Sequence, residues 1–544
     1  MASTDYVLEN AVIDNGPPVR YRLTPNKTNL GGEGVEESKL RRWTIGKKDP
    51  SKQNKTILLV GETGSGKSSL INTILNFVMG VKDGDEEWFE IVDDAKKHST
   101  LESQTSKVTV YEIFSFEGKT IPYSLTIIDT PGYGDTRGIE HDAIINQMLY
   151  DLFSSEDGIQ ELDAVGLVLK AAENRLSDRL RYVFDSVMSL FGKDMEKNVV
   201  ALITHSDGMP PKNALKALDA TNIKCARNEK NQPVYFSFNN CLSTQRTEET
   251  EFGLGQAWTV TMRGMRQLTS FLEKTTPQEL KTTVNVLNER IRLAACINNL
   301  TERIDLIKLK QQIIQQTQEE LEKHRESMKK EDNFTIEVDE PYKEKEPTDG
   351  GMWWLVFYGG AVTCNVCKEN CHYPGCTMAW YPKHCQVMKG GRCTSCTRKC
   401  PVSDHVKENK IYVNKTRKVK RTIGQLKQKY KANKEQCENL LSALQTEKEK
   451  LEKEKDTWLD EAYQHVFSLE QIALNVNSLF THANLDFLID MMKERGDTEK
   501  VQKLEEMVAR VDEGTRAALR YMFSYVGGKA TSLVKAAGKK LGKK

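Results

Sequence analysis

The chain has 544 residues, of which 28% are charged and 38% hydrophobic, and its 78 basic residues almost balance its 77 acidic ones. At about 150 residues per domain, this length predicts three or four structural units. The composition excludes a collagen-like or wholly disordered chain, and a net charge of +1 argues against a globally basic nucleic-acid-binding protein.

The N-terminus, MASTDYVLEN, lacks the basic and then apolar pattern of a secretory signal. The longest uncharged apolar stretch, Met352–Cys364, is much shorter than the roughly 20 residues that span a bilayer. We therefore expect a cytoplasmic protein. Residues 1–50 show no clear periodicity and are interpreted as an N-terminal tail.

Residues 51–275 alternate short β-rich runs with helical stretches, which predicts a mostly parallel sheet covered on both faces. The predicted strands are Thr56–Val60, Ser124–Ile128, Val165–Leu169, Val199–Thr204 and Val234–Phe238. Two runs on either side of Glu117-Gly118-Lys119 predict a hairpin that adds an antiparallel edge.

After this domain the sequence predicts a helical or coiled-coil segment (276–332), a cysteine-rich module (333–410) and a helical region with a basic tail (411–544). Apolar residues recur every seventh position in two stripes, from Val286 to Met328 and from Ile423 to Trp458. Two arrangements fit: two amphipathic helices lying on the core, or an antiparallel hairpin with the cysteine residues at its tip.

Residues 61–68 read GETGSGKS, between an apolar run and a helical segment, which is the P-loop pattern. Its backbone amides would enclose phosphates at a helix N-terminus, while Lys67 reaches the β- and γ-phosphates and Ser68 binds magnesium. The predicted nucleotide-binding residues here are Gly61, Glu62, Thr63, Gly64, Ser65, Gly66, Lys67, Ser68 and Ser69.

Asp129-Thr130-Pro131-Gly132 ends a predicted strand. Asp129 would hold the water shell of the magnesium ion, and the amide of Gly132 would contact the γ-phosphate. A switch threonine is expected before the strand VTVYEI. Thr105 is our candidate as a magnesium ligand and catalytic residue, with Thr100 as the rival.

Base recognition is predicted at Thr204-His205-Ser206-Asp207, which follows an apolar strand. A carboxylate at Asp207 accepts hydrogen bonds from the N1 and N2 amino groups of guanine and disfavours adenine. His205 would flank the base, and Asn239 and Asn240, after the next strand, would supply a backbone contact to the guanine carbonyl. The predicted ligands are therefore GTP and GDP with Mg²⁺.

The motifs GETGSGKSS, DTPGYGD, THSDG and FNN, with the segment Ala172–Asp194, resemble those of the septin-like AIG-type GTPases, also called immune-associated nucleotide-binding proteins. The resemblance covers about residues 55–275, and multidomain members with a cysteine-rich segment and C-terminal helices are more similar still. His205 and Ser206 stand where many members have Arg-Lys, although chloroplast-import GTPases of this group carry a Thr-His pair there.

Tyr133 stands where Ras-like enzymes have the glutamine that orients the attacking water. The resemblance implies activation by dimerisation across the nucleotide face, with Arg137 or Arg175 acting on the developing phosphate charge. We expect a GTPase with slow hydrolysis that acts as a homodimer. The alternatives are a non-hydrolysing GTP-dependent oligomeric scaffold and a zinc-module adaptor that the G domain regulates.

Eight of the twelve cysteines lie close together, with His372, His384 and His405 among or just after them. Their paired CxxC spacing is typical of tetrahedral zinc, while disulfides and free thiols are the alternatives. We take Cys364, Cys367, Cys393 and Cys396 as a first ligand group. The predicted ligands are Cys364, Cys367, Cys371, Cys376, Cys385, Cys393, Cys396 and Cys400.

The last 31 residues lack acidic side chains and carry six lysines between Lys529 and Lys544. They favour either contact with an anionic membrane surface or a solvated tail. The predicted architecture is thus an α/β P-loop GTPase domain, mostly parallel with an antiparallel edge, followed by long α-helices and a small cysteine-rich, zinc-binding insert.

Overall fold

A computed structural model describes residues 11–29, 40–92, 107–132, 139–155, 157–173, 177–220, 223–323, 335–348, 360–376, 381–422, 425, 437–475 and 479–509. The described residues form two compact units. The first comprises those within 1–287, 471–483 and 505–544, and the second those within 288–470 and 484–504.

Strands and helices are numbered here in chain order. The strands are β1 Ala11–Asp14, β2 Val19–Arg22, β3 Asn26–Asn29, β4 Leu40–Ile45, β5 Asn54–Val60, β6 Glu87–Glu90, β7 Val108–Ile113, β8 Ser124–Asp129, β9 Glu161–Leu162, β10 Ala164–Lys170, β11 Val199–Thr204, β12 Tyr235–Ser237, β13 Gln278–Glu279, β14 Thr335–Pro347, β15 Gly360–Cys364, β16 Glu369–Cys376, β17 Met388–Lys389, β18 Arg392–Cys393, β19 His405–Glu408 and β20 Lys410–Thr422. The α-helices are α1 Lys67–Met79, α2 Ile139–Ser154, α3 Asp178–Met188, α4 Lys212–Ala220, α5 Glu251–Lys274, α6 Lys281–Lys323, α7 Cys437–Ile472, α8 Leu479–Arg495 and α9 Thr498–Ala509.

The first unit is built on an eight-stranded sheet with the order β12-β11-β10-β5-β8-β7-β4-β3. The five strands from β12 to β8 are mutually parallel, β7 pairs antiparallel with β8, and β3 pairs antiparallel with β4. The mostly parallel α/β fold with an antiparallel edge is therefore confirmed, as are all five predicted strands. Because the parallel strands end at one edge, the loops that follow them meet there.

The N-terminal residues differ from the predicted tail. Within residues 11–45, the structure forms β1, β2, β3 and β4, and β4 pairs in parallel with β7, so the hairpin strand is not outermost. Leu40 and Ile45 at the ends of β4 are buried. The residues between them are polar or aromatic, LRRWTI in full, so the strand shows no apolar alternation and depends on its partner β7.

Helices cover both faces of this sheet. On β5, Leu58 and Val60 face a core shared with α2, α3 and α4, whereas Ile57 and Leu59 face a core shared with α1 and α5. This alternation follows from the period of two in a strand, and a strand buried on both faces is apolar throughout. Burial on both faces holds the carboxyl end of β5, where the P-loop begins, in a fixed position.

In the second unit, α6 and α7 run antiparallel. Gln311 donates to Glu452 at 3.3 Å, and nearer the start of α6 His465 lies 2.8 Å from Glu289. All described positions of the first heptad stripe, from Val286 to Ile314, are buried. The placement of the cysteine residues at the tip is wrong, because Asn298, well inside α6, donates to the carbonyl of Tyr373.

In the chain, α6 and α7 are separated by a long two-stranded ribbon of β14 and β20, which pair residue for residue from Thr335–Thr422 to Pro347–Lys410. The cysteine-rich residues between the two strands form the small sheet β16-β15-β19 and the hairpin β17–β18. The module therefore extends to Thr422 rather than ending at residue 410. Its second ribbon strand, KIYVNKTRKVKRT, is too basic to show apolar alternation and pairs with acidic residues of β14.

Among the residues that the structure describes, no helix combines the length and apolar character needed to cross a membrane. The lysine-rich C-terminus, from residue 510 onward, lies outside the described residues.

Candidate functional site

The P-loop lies between the end of β5 and the start of α1. Gly64 and Gly66 adopt positive φ angles of 78° and 93°, which turn the loop back on itself. Lys67 Nζ donates to the carbonyl oxygens of Gly61 at 2.8 Å and Glu62 at 3.1 Å. The side chain of Lys67 therefore spans the loop whose backbone would enclose a phosphate.

Lys67 is almost completely buried, with 7% of its surface exposed. Burial lowers the pKa of its ammonium group to about 8, and the nearby carboxylates of Asp129 and Glu62 oppose this effect. An ammonium group under this desolvation gains from a phosphate partner, which replaces the lost hydration.

The loop after β8 packs directly against the P-loop. Asp129 is fully buried at the end of the strand, and the Thr130 hydroxyl donates to the carbonyl of Leu59 at 2.9 Å. A Cβ atom on Gly132 would lie 2.8 Å from the Cα of Thr63, so only glycine fits there. The acid and the glycine of the DTPG motif thus stand beside the phosphate loop.

The strand before the predicted base-binding motif also holds the P-loop. The Thr204 hydroxyl donates to the carbonyl of Ser65 at 2.7 Å and approaches that of Leu169 at 3.3 Å. Thr204 belonged to the predicted motif, but sequence reasoning gave its hydroxyl no role. The available signal was a hydroxyl residue at the carboxyl end of a buried parallel strand.

His205 follows with a positive φ of 52°, and its Nδ1 lies 3.1 Å from the Thr204 hydroxyl. Partial burial and then the charge of Lys170 lower the pKa of the imidazole, which favours its neutral form. The ring lies close to Gly66, since a Cβ there would be 3.5 Å from His205 Cε1. A neutral ring at this position can pack against a nucleotide.

The loops after β11 and β12 are joined by the Ser206 amide, which donates to the carbonyl of Phe238 at 3.0 Å. Asp207 is exposed, and one carboxylate oxygen accepts from the Met209 amide at 2.9 Å. This turn engages one carboxylate oxygen, and the other oxygen can accept from a further donor.

Asn239 and Asn240 differ in their bonding. The backbone of Asn239 both donates to and accepts from the Thr261 hydroxyl at 2.9 Å, so its amide is already engaged. The side-chain amide atoms of Asn240 are enclosed and have no hydrogen-bond partner among the described residues. Of the two predicted residues, Asn240 is therefore the one with free hydrogen-bonding capacity.

Several predicted site residues lie outside the described residues. They are Thr100 and Thr105 before β7, Tyr133 and Arg137 after the DTPG motif, and Arg175 before α3. Ser177, which caps α3 by accepting from the Leu180 amide, lies 3.3 Å from the carboxylate of Glu62. The segment predicted from Ala172 to Asp194 thus contacts the P-loop through Ser177.

The sequence profile of the AIG1 family matches residues 55–250, which include the P-loop, the DTPG motif and Asp207. Residues 55–250 therefore resemble the AIG1 family. Immune-associated nucleotide-binding protein 7 of Arabidopsis thaliana is 29% identical over 157 residues, covering 29% of this chain and 43% of the relative. Immune-associated nucleotide-binding protein 10 of the same organism is 31% identical over 155 residues, covering 28% of each protein.

The chain therefore spans less than half the length of the curated relatives that it matches. Among solved structures, Toc33 from Arabidopsis thaliana in complex with GDP and Mg²⁺ is similar at 17% identity and a TM-score of 0.29. That match covers 41% of this chain and 87% of Toc33.

Outside residues 55–250, the cysteine-rich module brings ligand atoms together in two groups. We name Cys364, Cys367, Cys396 and Cys400 group A, and Cys371, Cys393, Cys396 and His405 group B. Within each group the ligand atoms lie within 4.8 Å of one another. The expected first group differs, because Cys400 rather than Cys393 accompanies Cys364 and Cys367.

The remaining cysteines and histidines of the module are arranged differently. His372 Nδ1 lies 3.1 Å from the sulfur of Cys385, and both residues are buried outside the two groups. His384 is exposed, and the side chain of Cys376 lies outside the described residues. The ten cysteines whose side chains the structure describes form no disulfide, and they include the six of groups A and B.

Proposed function

We propose that this chain binds GTP and GDP with Mg²⁺ through its AIG1 domain and hydrolyses GTP slowly, with dimerisation of the domain accelerating hydrolysis. The observation that carries the proposal is the Thr204–Ser65 hydrogen bond. It joins the strand that leads to Asp207 to the loop that holds Lys67, so base and phosphate recognition share one rigid edge of the sheet.

Phosphate binding would rest on the P-loop backbone and Lys67. Opening of the two hydrogen bonds from Lys67 to Gly61 and Glu62 releases an ammonium group for the β- and γ-phosphates. The α1 N-terminus begins at the same place, and its free amides and dipole favour an anion.

The donor set fits a magnesium ion. Asp129 supplies a buried carboxylate, and Ser68 supplies a hydroxyl in the first turn of α1, both oxygen ligands that this hard cation prefers. When bound, the ion neutralises phosphate charge. Asp129 would hold its water shell, and Gly132, pressed against Thr63, would present its amide towards the γ-phosphate.

Nucleotide selectivity tests this proposal most directly. Titrating the full chain with GDP, ADP and xanthosine diphosphate should give tight binding of GDP alone, and Asp207→Asn should move the preference towards the xanthine nucleotide. The loss for GDP should be about 1.5–3 kcal/mol, because the bonds involve a charged acceptor. Equal binding of ADP and GDP by the unaltered chain would refute guanine recognition.

Dimer-dependent hydrolysis is supported by the resemblance of the domain to AIG-type GTPases and by Tyr133, which cannot orient water as glutamine does. Specific activity should rise between nanomolar and tens of micromolar protein. Arg137→Ala and Arg175→Ala should then identify the arginine that acts, since an arginine finger contributes about 10³–10⁵ in rate. Specific activity that does not change with protein concentration would refute activation by dimerisation. Nucleotide binding without any GTP hydrolysis would favour the oligomeric scaffold.

We also propose that the cysteine-rich module binds zinc. Six thiols and one imidazole converge in groups A and B, and nearly all of them are buried. The module has few large apolar residues, so metal binding would supply much of its folding free energy. Metal analysis of the reduced full chain should find zinc, and a chelator should release it without loss of GDP binding.

A further inference from the structure

Groups A and B have one atom in common, the sulfur of Cys396. We infer that this sulfur bridges two zinc ions, so that the module holds a single binuclear cluster rather than two separate sites. The inference rests on the zinc binding proposed above and adds the arrangement of the ions.

The number of ligands supports a bridge. Two four-coordinate ions have about eight ligand positions in total, and the two groups supply seven different residues. Seven residues fill eight ligand positions when one sulfur binds both ions, and thiolate sulfur has the spare lone pairs for this. Group A then offers four sulfurs, and group B offers three sulfurs and one imidazole nitrogen.

The distances within group A match those of a metal site. The sulfurs of Cys367 and Cys400 lie 3.6 Å apart. Two sulfurs on one tetrahedral zinc ion, each at about 2.3 Å, are about 3.8 Å apart. Sulfurs in a disulfide lie at about 2.05 Å, so this pair is spaced for a shared ion and not for a covalent bond.

His405 is oriented as a ligand. Its Nδ1 lies 2.9 Å from the carbonyl of Pro401, which accepts the ring proton and leaves Nε2 with a lone pair. Nε2 is buried, the residue is only 5% exposed, and the ring interacts with the sulfurs of Cys393 and Cys396 in group B. The pairing of β15 with β19 places His405 opposite Cys364.

Backbone amides point at the sulfurs, as expected for thiolates. The amides of Ser395 and Cys396 both lie 3.3 Å from Cys393 Sγ, and the Cys400 amide lies 3.2 Å from Cys396 Sγ. The Cys367 amide lies 3.3 Å from Cys364 Sγ. Such donors stabilise charge on sulfur and fix the turns that present it.

Two basic side chains lie close to the backbone of the cluster. Six thiolates, two dications and a neutral imidazole sum to −2. Lys343 donates to the carbonyl of Lys368, directly after Cys367, at 2.8 Å, and Arg303 donates to the carbonyl of Ser395, directly before Cys396, at 2.9 Å. Arg303 also forms a buried ion pair with Glu369 at 2.8 Å, so its charge is already balanced, and Lys343 is the cation that compensates charge on the sulfurs.

The test uses the full chain loaded with ¹¹³Cd²⁺, which replaces zinc and reports scalar coupling through a shared sulfur. We expect two cadmium signals, each split by the other, and two metal ions per chain. Two unsplit signals, or one ion per chain, would overturn the bridge while leaving metal binding intact. No bound metal would overturn the zinc proposal as well.

The number of zinc ions that cysteine variants retain provides an independent test of the bridge. Cys364→Ser and Cys371→Ser each alter one group and should retain one ion, whereas Cys396→Ser should lose both. Cys385→Ser, at a buried thiol outside both groups, is the matched control and should retain two. One ion retained in Cys396→Ser would contradict the bridge. If every variant loses all metal through unfolding, the splitting in the unaltered chain decides.

Discussion

The hydroxyl of Thr204, at the end of β11, donates a 2.7 Å hydrogen bond to the carbonyl of Ser65 in the P-loop. Both atoms are buried and the residues are 139 positions apart in the chain. This bond fixes the loop that would hold phosphates relative to the segment that would read the base, and it is the basis of the first prediction.

Thr204→Val should weaken GDP binding by roughly tenfold and destabilise the first unit by about 1–3 kcal/mol, because the Ser65 carbonyl loses its buried donor. Isothermal titration gives the affinity. Thr204→Ser keeps the hydroxyl and is the control, which should bind GDP nearly as tightly as the unaltered chain. Equal affinities for the valine and serine variants would show that the bond does not position the loop.

Nucleotide affinity should fall as the pH rises through about 8. Burial lowers the pKa of Lys67 to that value in the free protein, and phosphates prefer its protonated form, so binding takes up a proton above it. The dissociation constant of GDP should increase roughly tenfold between pH 7 and pH 9.

Lys67→Arg is the control for this pH dependence, because a guanidinium stays protonated throughout the range. Any titration of the guanine base itself affects both proteins equally. The same pH dependence in the arginine variant would assign the effect to a group other than Lys67.

The buried pair of Lys55 and Asp163 should matter for stability. Their charged atoms lie 2.9 Å apart with side-chain exposures of 9% and 1%, and Asp163 also accepts from the Thr56 amide at 2.7 Å. Asp163→Ala should cost about 3–5 kcal/mol, because it leaves a buried ammonium group without its carboxylate. Hydrogen exchange of the β5 and β10 amides measures this loss.

Asp83→Ala is the matched comparison, since Asp83 forms an exposed pair with Arg246 at 3.1 Å. It should change stability by less than about 1 kcal/mol. Similar effects of the two substitutions would contradict the role assigned to burial.

Glu302 should make the second unit less stable as the pH rises. Burial raises the pKa of this carboxyl from 4.5 to about 6, although Asn370 donates a hydrogen bond to it. Between these values the folded state holds more protons than the unfolded state, so stability falls with increasing pH, by about 2 kcal/mol once the pH exceeds 6.

Glu302→Gln removes this titration and should stabilise the unit at pH 7 but much less at pH 4.5. Urea unfolding at both pH values, with the exposed Glu454→Gln as control, measures the difference. If the free energies of unfolding of Glu302→Gln and the unaltered chain differ by the same amount at both pH values, Glu302 is not the group responsible.

The sequence predicted the central sheet well because its strands are buried on both faces and therefore apolar throughout, as in VVALIT of β11. The P-loop and DTPG motifs were found because their function needs fixed residues at fixed spacing. The strands β4 and β20 were missed because their pairing is non-local and their sequences are rich in lysine and arginine.

The six cysteines of groups A and B were among the predicted ligands, but their division was not predicted, and Cys385 lies outside both groups while His405 joins group B. Sequence spacing suggests that two CxxC pairs bind one ion together, and this led to the predicted group of Cys364, Cys367, Cys393 and Cys396. In the structure Cys400 joins Cys396 in group A, and β19 brings His405 beside Cys371 and Cys393 in group B. This division depends on how the strands pair, which the spacing does not determine.

The ribbon of β14 and β20 connects the cysteine-rich module to the rest of the chain through two adjacent strands. At its inner end the Thr348 amide donates to the carbonyl of Asn409 at 2.9 Å, so the polypeptide enters and leaves the module at neighbouring points. A segment tethered in this way adds little loop-closure entropy to its host. Residues 349–408 are therefore a single insertion in the ribbon, and replacing them by a short turn would leave Arg303 of α6 without its buried partner Glu369.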